Sequence, residues 1–480
     1  MNHRANVFGR GYGDHHRDSA RIRFRRAVTM CVLTVLVPGT AQMLLGHRWV
    51  GRVAFAVWCM LLGAVGYIAV QVKVDRREVL DLITSPDVLQ VIRIGIIVIA
   101  VLWVALFIDA WRLVSPFRLP VARAAIVTVL NLAIIAGAAA ATVMTTSLVH
   151  VQRDVVTTVF HAQKTSDPLH GRYNILLLGS DSGHGRSGIR PDTMMIASID
   201  ADSGKTVLIG LPRNLENVPF GKDSPMHKVY PHGFNCGSEC LLNAVHTYAH
   251  DRDDLYPDSK DPGMAATIDA ISATTGLKIN YHIVINMKGM RDLVDAVGGV
   301  TIDVESQIAM FGQEDAWKDE YIEPGEQKLN GREALWYARS RIQSNDYTRM
   351  ARQKCLMSAM LQQLSPQRVL THATDIGESS KALISTDLPS KELGQFADLA
   401  LKSRHTKIAT LSLVPPDVNV ADPDFDQIRK TISRAIKKSE TPSSSPSPSP
   451  KKTSETDDGD TPGHRAPTEA NQTDDLASVC

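Results

Sequence analysis

The sequence predicts an α/β protein: an α/β/α layered domain, preceded by a helical transmembrane region and followed by a disordered tail. Three observations carry this reading. Between residues 172 and 415, apolar runs of strand length alternate with stretches of helical character, the signature of a layered α/β domain. Region 27–149 is dominated by apolar segments, several long enough to cross a bilayer. From about Ser439 to Cys480 the chain turns to Ser, Pro and Thr (TPSSSPSPSPKKTSETDDGD), a composition that cannot bury a core. The 480 residues carry 52 Lys+Arg against 51 Asp+Glu, a net charge of +1. There is thus no global attraction to nucleic acid or acidic surfaces, and any anion site must be local. Aromatic residues are only 6% of the chain, which argues against a stacking platform for single-stranded nucleic acid.

Taken in order, residues 1–26 are polar and end in Arg21, Arg23, Arg25 and Arg26, a basic cluster that reads as cytoplasmic. Ala27–Val37 is short for a span and stops at Pro38-Gly39, so 27–46 reads as a re-entrant or interfacial segment. Full spans are expected at about 53–72, 90–110 and 124–149. Three crossings from a cytoplasmic N-terminus place everything after residue 149 outside; a first segment that crossed fully would leave it inside. Arg48, Arg52, Arg112, Arg118 and Arg123 fall on the cytoplasmic side in the three-span arrangement, which the charge bias favours. Arg93 and Asp109 fall at segment ends, where snorkelling suffices, so the region reads as an anchor without a transport role.

Residues 150–171 read as a tether into the globular domain 172–415. Tyr173–Leu178 (YNILLL) is a buried strand running into the glycine-rich, charged loop DSGHGRSGIRPD. Strands at Thr193–Ile199 and Thr206–Leu211 form a hairpin across Asp202-Ser203-Gly204 and deliver Pro212-Arg213-Asn214. Helices are expected at Glu239–His250, Met264–Thr275, Met287–Val297, around Ala334–Ala338 and at Ser390–Leu401. Tyr281–Asn286, Val300–Val304 and Lys407–Val414 are the remaining strands.

The richest stretch is Ala334–Gln353 (ALWYARSRIQSNDYTRMARQ), where Arg339, Arg341, Arg349 and Arg352 crowd beside one acid, Asp346. A helix needed only for solubility would mix both signs. From Asp346, read as an N-cap, a helix to Leu364 sets Asp346, Arg349, Arg352 and Gln353 on one arc. An apolar seam of Met350, Met357, Met360 and Leu364 lies beside that arc. Such a helix would bury its seam and present guanidinium forks to a polyanion.

Cys31 and Cys59 fall in membrane segments, whereas Cys236, Cys240, Cys355 and Cys480 lie in the region placed outside. An even number there permits disulfides in three connectivities; Cys236 and Cys240 are the nearest pair, and Cys355 reads equally as a buried thiol. His246 and His250 have zinc-like spacing, but HTYAH lacks the glutamate of HExxH and reads as core or surface histidine. Carboxylates Asp181 and Asp192 beside Arg190, Arg213 and the arginine helix suit phosphoryl transfer, which needs charge stabilisation more than covalent work. The pair fits a hard cation that also takes phosphate oxygens. No P-loop, GxSxG elbow or HExxH motif is present.

YNILLLGSDSGHGRSGIRPDTMMIASID, VLIGLPRN, INMKGMRDLVDAVGGVTIDV, PGEQKLNGREALWYARSR and DYTRMARQ occur in that order and together resemble the LytR-CpsA-Psr family of cell-envelope proteins over residues 172–364. The multi-span anchor and the PGTAQ break look like its actinobacterial members. The resemblance implies an Mg²⁺- (or Mn²⁺-) dependent phosphotransferase with an α/β/α domain at the outer face of the cell membrane. It would move a glycan phosphate from a polyprenyl diphosphate carrier, held in an apolar cleft, to peptidoglycan, with no nucleic-acid partner. By motif, Asp181 and Asp192 match the metal-associated aspartates, and Arg213 the strand-end arginine. Arg339 and Arg341 match the RxR pair; Asp346, Arg349, Arg352 and Gln353 match DxxRxxRQ. With Arg190, the arginines and Gln353 are expected to bind the diphosphate, and Arg213, Arg339, Arg341 and Asp346 to act in catalysis. Gly183 stands where the family often has arginine, a place Arg186 or Arg190 would fill. Asn214 replaces an acid and keeps an acceptor without the charge. A lipid-pyrophosphate pyrophosphatase and a non-catalytic polyprenyl diphosphate binder are the alternatives. A transcriptional regulator is disfavoured for want of a helix-turn-helix.

Overall fold

The computed structural model describes residues 11–46, 48–115, 117, 119–160, 165–180, 191–311, 320–342, 344–363, 384–441 and 469–480. The chain divides into two compact units, Met1–Arg153 and Asp154–Cys480.

In the first unit α1 (Gly11–Leu36), α2 (Thr40–Leu45), α3 (Arg48–Val74), α4 (Arg76–Thr84) and α5 (Pro86–Val114) lead into α6 (Val121–Val159). Three of these, α3, α5 and α6, are long and apolar enough to cross a membrane. The short apolar stretch Ala27–Val37 is not a separate element: it is the end of α1, which carries helix through the polar residues before it. The break at Pro38-Gly39 is real. Gly39 sits at φ 90°, and a Cβ there would fall 2.4 Å from the Gly51 carbonyl oxygen, so only glycine fits. Asp109 lies inside α5 rather than at its end, and the Gln42 side chain of α2 donates to its carboxylate at 3.2 Å. A hydrogen-bonded partner, not snorkelling, accommodates this acid.

In the second unit the strands and helices run β1 (Arg172–Ser180), β2 (Pro191–Asp200), β3 (Thr206–Leu211), α7 (Pro225–Val229), α8 (Val245–Asp251), α9 (Pro262–Thr275), β4 (Tyr281–Asn286) and α10 (Met287–Ala296). Next come β5 (Val300–Val304), β6 (Ile308–Ala309), β7 (Tyr321–Ile322), β8 (Gly325–Leu329), α11 (Gly331–Arg339) and α12 (Asp346–Gln363). The remainder is β9 (Ile384–Thr386), α13 (Leu393–Ser403), β10 (Ile408–Ser412), α14 (Phe425–Glu440) and β11 (Gln472–Thr473). Among the described residues, seven strands form one mixed sheet in the order β11-β10-β3-β2-β1-β4-β9.

Period-two alternation explains why the strands read as unbroken apolar runs. Leu176 and Leu178 of β1 and Val207 and Ile209 of β3 enter a core shared with Ala266, Ala270 and Ile271 of α9 and Ile428 and Ile432 of α14. Leu177 and Leu208, one residue out of phase, pack on the opposite side with Ala334 and Tyr337 of α11 and Ala351, Leu356 and Met360 of α12. Both faces are covered, which is the α/β/α sandwich expected from the sequence.

Helices start where the chain supplies a cap. Asp261 accepts from the Met264 amide, and Asn286, the last residue of β4, accepts from Gly289. Asn330 and Glu333 form a complete capping box on α11. Helix α8 starts later than expected, at Val245, because the Cys236–Cys240 disulfide and a 3-10 turn occupy the preceding residues. The amphipathic α14, which the sequence reading missed, extends the domain past residue 415.

The expectation of a disordered tail from 439 to 480 is corrected at its far end. Glu469–Cys480 folds back on the domain: β11 pairs antiparallel with β10, Ala470 and Leu476 join the core, and Cys480 bonds Cys355 of α12. A spacing of 125 residues hid this pairing, since only the fold brings the two cysteines together. Cross-linking so long a loop removes much unfolded-state entropy. Cys480→Ser is therefore expected to cost about 2–5 kcal/mol of stability, read from urea unfolding of the full chain under oxidising conditions; an unchanged midpoint would count against a structural role for this bond.

Candidate functional site: a charge ring over a polar pocket

The site grows from a strand register. Met194 of β2 pairs with Leu211 of β3, so Asp192 and Arg213, each two residues beyond that pair, stay opposite one another past the end of the ladder. Arg213 Nη1 donates to Asp192 Oδ1 at 2.8 Å. The start of α12 reaches the same place. Asp346 Oδ2 accepts from Arg213 Nε at 3.3 Å and from Arg349 Nη2 at 3.1 Å. Arg341, in the connection between α11 and α12, lies with Nε 3.6 Å from Asp346 Oδ1 and Nη2 3.7 Å from Asp192 Oδ2. Asp192, Arg213, Asp346 and Arg341 thus close a ring of alternating charge, with Arg349 attached beneath it.

Asp346 is free for this work because it is not the helix cap. Asn345 is: its side chain accepts from the Thr348 amide at 2.8 Å and from the Thr348 hydroxyl. The expected capping role of Asp346 is corrected accordingly. Burial pulls the Arg349 guanidinium down to about 10, with Arg341 and Arg213 pushing the same way and Asp346 and Asp192 opposing. It stays charged at neutral pH. For Arg213 burial works against the charge, yet the hydrogen bond to Asp192 and both carboxylates hold the guanidinium above its ordinary value. Among the described residues, three guanidiniums against two carboxylates leave an unbalanced positive charge over a pocket lined by Asp192, Arg213, Arg349, Met350, Gln353 and Lys354, among others.

The other expected residues divide. Gln353 lines the pocket and donates to the Ala338 carbonyl at 3.2 Å. Arg352 turns to the α11–α12 connection, donating to the Ser340 carbonyl and the Ser344 hydroxyl, so it braces the loop that carries Arg341. Arg339 stacks 5.0 Å over the Trp336 ring and donates to Met287 Sδ; the structure does not bring it into the ring. Asp181, Arg190, Arg186 and Gly183 lie outside the described residues. Among the described residues no group of three His, Cys, Asp or Glu is arranged to hold a metal. His246 is buried with both ring nitrogens unbonded and Asp261 3.7 Å away, a core histidine whose protonation burial disfavours. Sequence reasoning passed over Lys354. Its signal was a lysine four residues after Met350, on the helix face assigned to the apolar seam.

Asp346→Asn keeps the shape and removes a charge from beneath three arginines. It is expected to lower stability by about 1–3 kcal/mol and to enlarge the rise in melting temperature produced by added pyrophosphate. Thermal melts of both proteins with and without pyrophosphate check this; equal responses would show that the carboxylate does not hold the arginines together.

Comparison with known proteins places the chain. It is 24% identical over 278 residues to the polyisoprenyl-teichoic acid–peptidoglycan teichoic acid transferase TagV of Bacillus subtilis, covering 55% of this chain and 64% of that one. With the enzyme of the same description, TagU, from Oceanobacillus iheyensis it shares 27% identity over 223 residues, 46% of this chain and 60% of that one. The chain therefore spans less than two thirds of the length of these curated relatives. Among solved structures, that of B. subtilis TagV matches with 22% identity and a TM-score of 0.39, covering 55% of this chain and 97% of that one. The LytR_cpsA_psr family model matches residues 138–438, and the chain belongs to the LytR_cpsA_psr family.

Proposed function

We propose that the second unit transfers a glycan phosphate from a polyprenyl diphosphate carrier to peptidoglycan at the outer face of the cell membrane. The observation that carries this is the charge ring. Its arginines are held by two carboxylates, Asp192 at the start of β2 and Asp346 at the start of α12, and the described residues leave a net positive charge over a pocket. Planar guanidiniums in fixed positions suit the oxygens of a diphosphate, and their charge is worth most where it develops during phosphoryl transfer. The names of the relatives, teichoic acid transferases acting from polyisoprenyl carriers to peptidoglycan, support the same direction.

In this reading Arg213 and Arg341 bind the diphosphate oxygens and Arg349 supports them from below. Asp346 keeps the arginines aligned, and a sugar hydroxyl of peptidoglycan attacks the glycan-side phosphorus. The P–O bond to the polyprenyl phosphate breaks, and that phosphate leaves with the electron pair and takes up the proton that the attacking hydroxyl gives up. A divalent cation would share Asp192 with the arginines: Oδ1 accepts from Arg213 at 2.8 Å, and Oδ2 makes the looser ion pair, 3.7 Å from Arg341 Nη2. Mg²⁺ or Mn²⁺ would be held by Asp192, with Asp181 expected beside it, and by phosphate oxygens. Bound there, it would neutralise charge on the transferring phosphoryl group.

An extracytoplasmic placement is supported by the cysteines. Both disulfides, Cys236–Cys240 and Cys355–Cys480, lie in the second unit, and the two free cysteines, Cys31 and Cys59, lie in the first. Disulfides persist in oxidising compartments.

The test is to incubate the full chain in detergent micelles with Mg²⁺, a polyprenyl diphosphate glycan and peptidoglycan oligomers, and to identify the linkage by mass spectrometry. A phosphodiester-linked polymer is expected; free glycan phosphate without acceptor would instead show a pyrophosphatase. Arg213→Ala should lose roughly 10³-fold or more in rate with its circular dichroism unchanged. A folded variant that retains full turnover would remove Arg213 from the mechanism. Chelation by EDTA should abolish transfer and added Mg²⁺ restore it; undiminished transfer in EDTA would exclude the metal.

A further inference from the structure

Of the four members of the ring, Arg341 is the least securely held. Its contacts with Asp346 Oδ1 and Asp192 Oδ2, at 3.6 and 3.7 Å, are ion pairs too long to be hydrogen bonds. Its place in the ring is therefore set by its backbone, in the short connection between α11 and α12. That connection is pinned from α12. Arg352 Nη2 donates to the Ser340 carbonyl and, at 3.1 Å, to the Ser344 hydroxyl, groups that lie on either side of Arg341. The Ser344 hydroxyl donates in turn to the Ser340 carbonyl at 3.3 Å, and the Ser344 amide to the Arg341 carbonyl at 3.2 Å. Arg341 thus projects from a cross-braced turn. Among the described residues Arg352 bonds nothing else. It is half-buried, its Nε is buried without a hydrogen-bond partner, and no described carboxylate pairs with it. Nor does it line the pocket, although its neighbours Arg349 and Gln353 do. A partly desolvated cation bonded to one turn serves that turn, since its charge strengthens the bond to a carbonyl.

We propose that Arg352 is a positioning residue for the transfer reaction: it fixes the turn that carries Arg341, and so aims the Arg341 guanidinium at the diphosphate, without touching the anion itself. The inference rests on the ring being a diphosphate site, and it gives Arg352 a role different from the diphosphate binding that its motif implies. The physical reason is entropic. An arginine on an unbraced loop samples many positions in which it meets no ligand oxygen. Each of them lowers the binding-competent fraction, and apparent affinity falls with that fraction. Pinning Ser340 and Ser344 removes the backbone part of this freedom before the ligand arrives. Asp346 and Asp192 then need only orient the side chain, which contacts at ion-pair distance suffice to do.

The experiment titrates geranyl diphosphate by calorimetry into the full chain in detergent micelles, as wild type, Arg341→Ala, Arg352→Met and the double variant. Arg341→Ala is expected to bind about tenfold more weakly, the weight of one charge-assisted contact. Arg352→Met should lose about five- to tenfold, and the double variant no more than Arg341→Ala alone, because Arg352 acts through Arg341. Two direct contacts would instead multiply to about a hundredfold, which overturns the proposal. Wild-type affinity in Arg341→Ala or in Arg352→Met overturns it too, the latter being the result of a role confined to folding stability. Ser344→Ala keeps every charge and removes one arm of the brace. A loss of about threefold is expected there, and none in the Arg341→Ala background. Should Arg352→Met not fold, wild-type affinity in Ser344→Ala overturns the proposal equally. Arg213→Ala separates the two readings. Binding lost there but unaltered in Arg352→Met sinks the positioning role alone, whereas no binding by the wild type sinks the diphosphate site and the positioning role with it.

Discussion

The site depends on the closed ring of Asp192, Arg213, Asp346 and Arg341. Guanidiniums gathered at one point repel: at an effective dielectric near 20, unit charges about 4 Å apart interact by about 4 kcal/mol. Two carboxylates, each set between the same two arginines, convert that repulsion into a lattice that can be kept ready for an anion. The ring needs three independent parts to agree: the β2–β3 register, the α11–α12 connection and the first turn of α12. This explains why so many neighbouring polar residues serve geometry. Arg352 and Gln353 tie α12 to the connection, and Asn345 caps the helix so that Asp346 can turn upward.

The same helix joins the ring to the far end of the chain. One face of α12 carries Arg349, Met350, Gln353 and Lys354 along the pocket, while Cys355 anchors Cys480. The C-terminal segment thereby adds an edge strand to the sheet, a cover to the core and an acceptor to a buried amine. Asn471, bonded through both of its amide atoms, ties that segment to Lys354 and to the Tyr347 carbonyl of α12.

Much of this was legible beforehand, and the reasons are local. YNILLL, VLIGL and YHIVIN read as strands because both sheet faces are covered, so no polar alternation interrupts them. Arg213 and Asp192 stood out because each flanks such a strand. The misreadings share another cause. By sequence Asp346 reads as a cap because Asp and Asn are equivalent in that role by type, and only hydrogen-bond directions separate Asn345 from Asp346. Arg339 and Arg341 share the RxR motif, but Arg339 ends α11 over the Trp336 ring, whereas Arg341, two residues on, lies past the helix end and reaches the ring of charge.

By itself the sequence determined the layered α/β class, the three long apolar segments, the motif order that marks the family, and the arginine and aspartate residue types of the charge ring. Those follow from periodicity and from side-chain chemistry, which are properties of neighbouring residues. The tertiary structure alone decided that Asp192 and Asp346 share their arginines, that Cys355 bonds Cys480, and that a lysine on an apparent apolar seam lies buried against Asn471. Each of these is a contact between residues more than a hundred positions apart. No local pattern encodes such a contact; it exists only once both sides of the sheet have been packed.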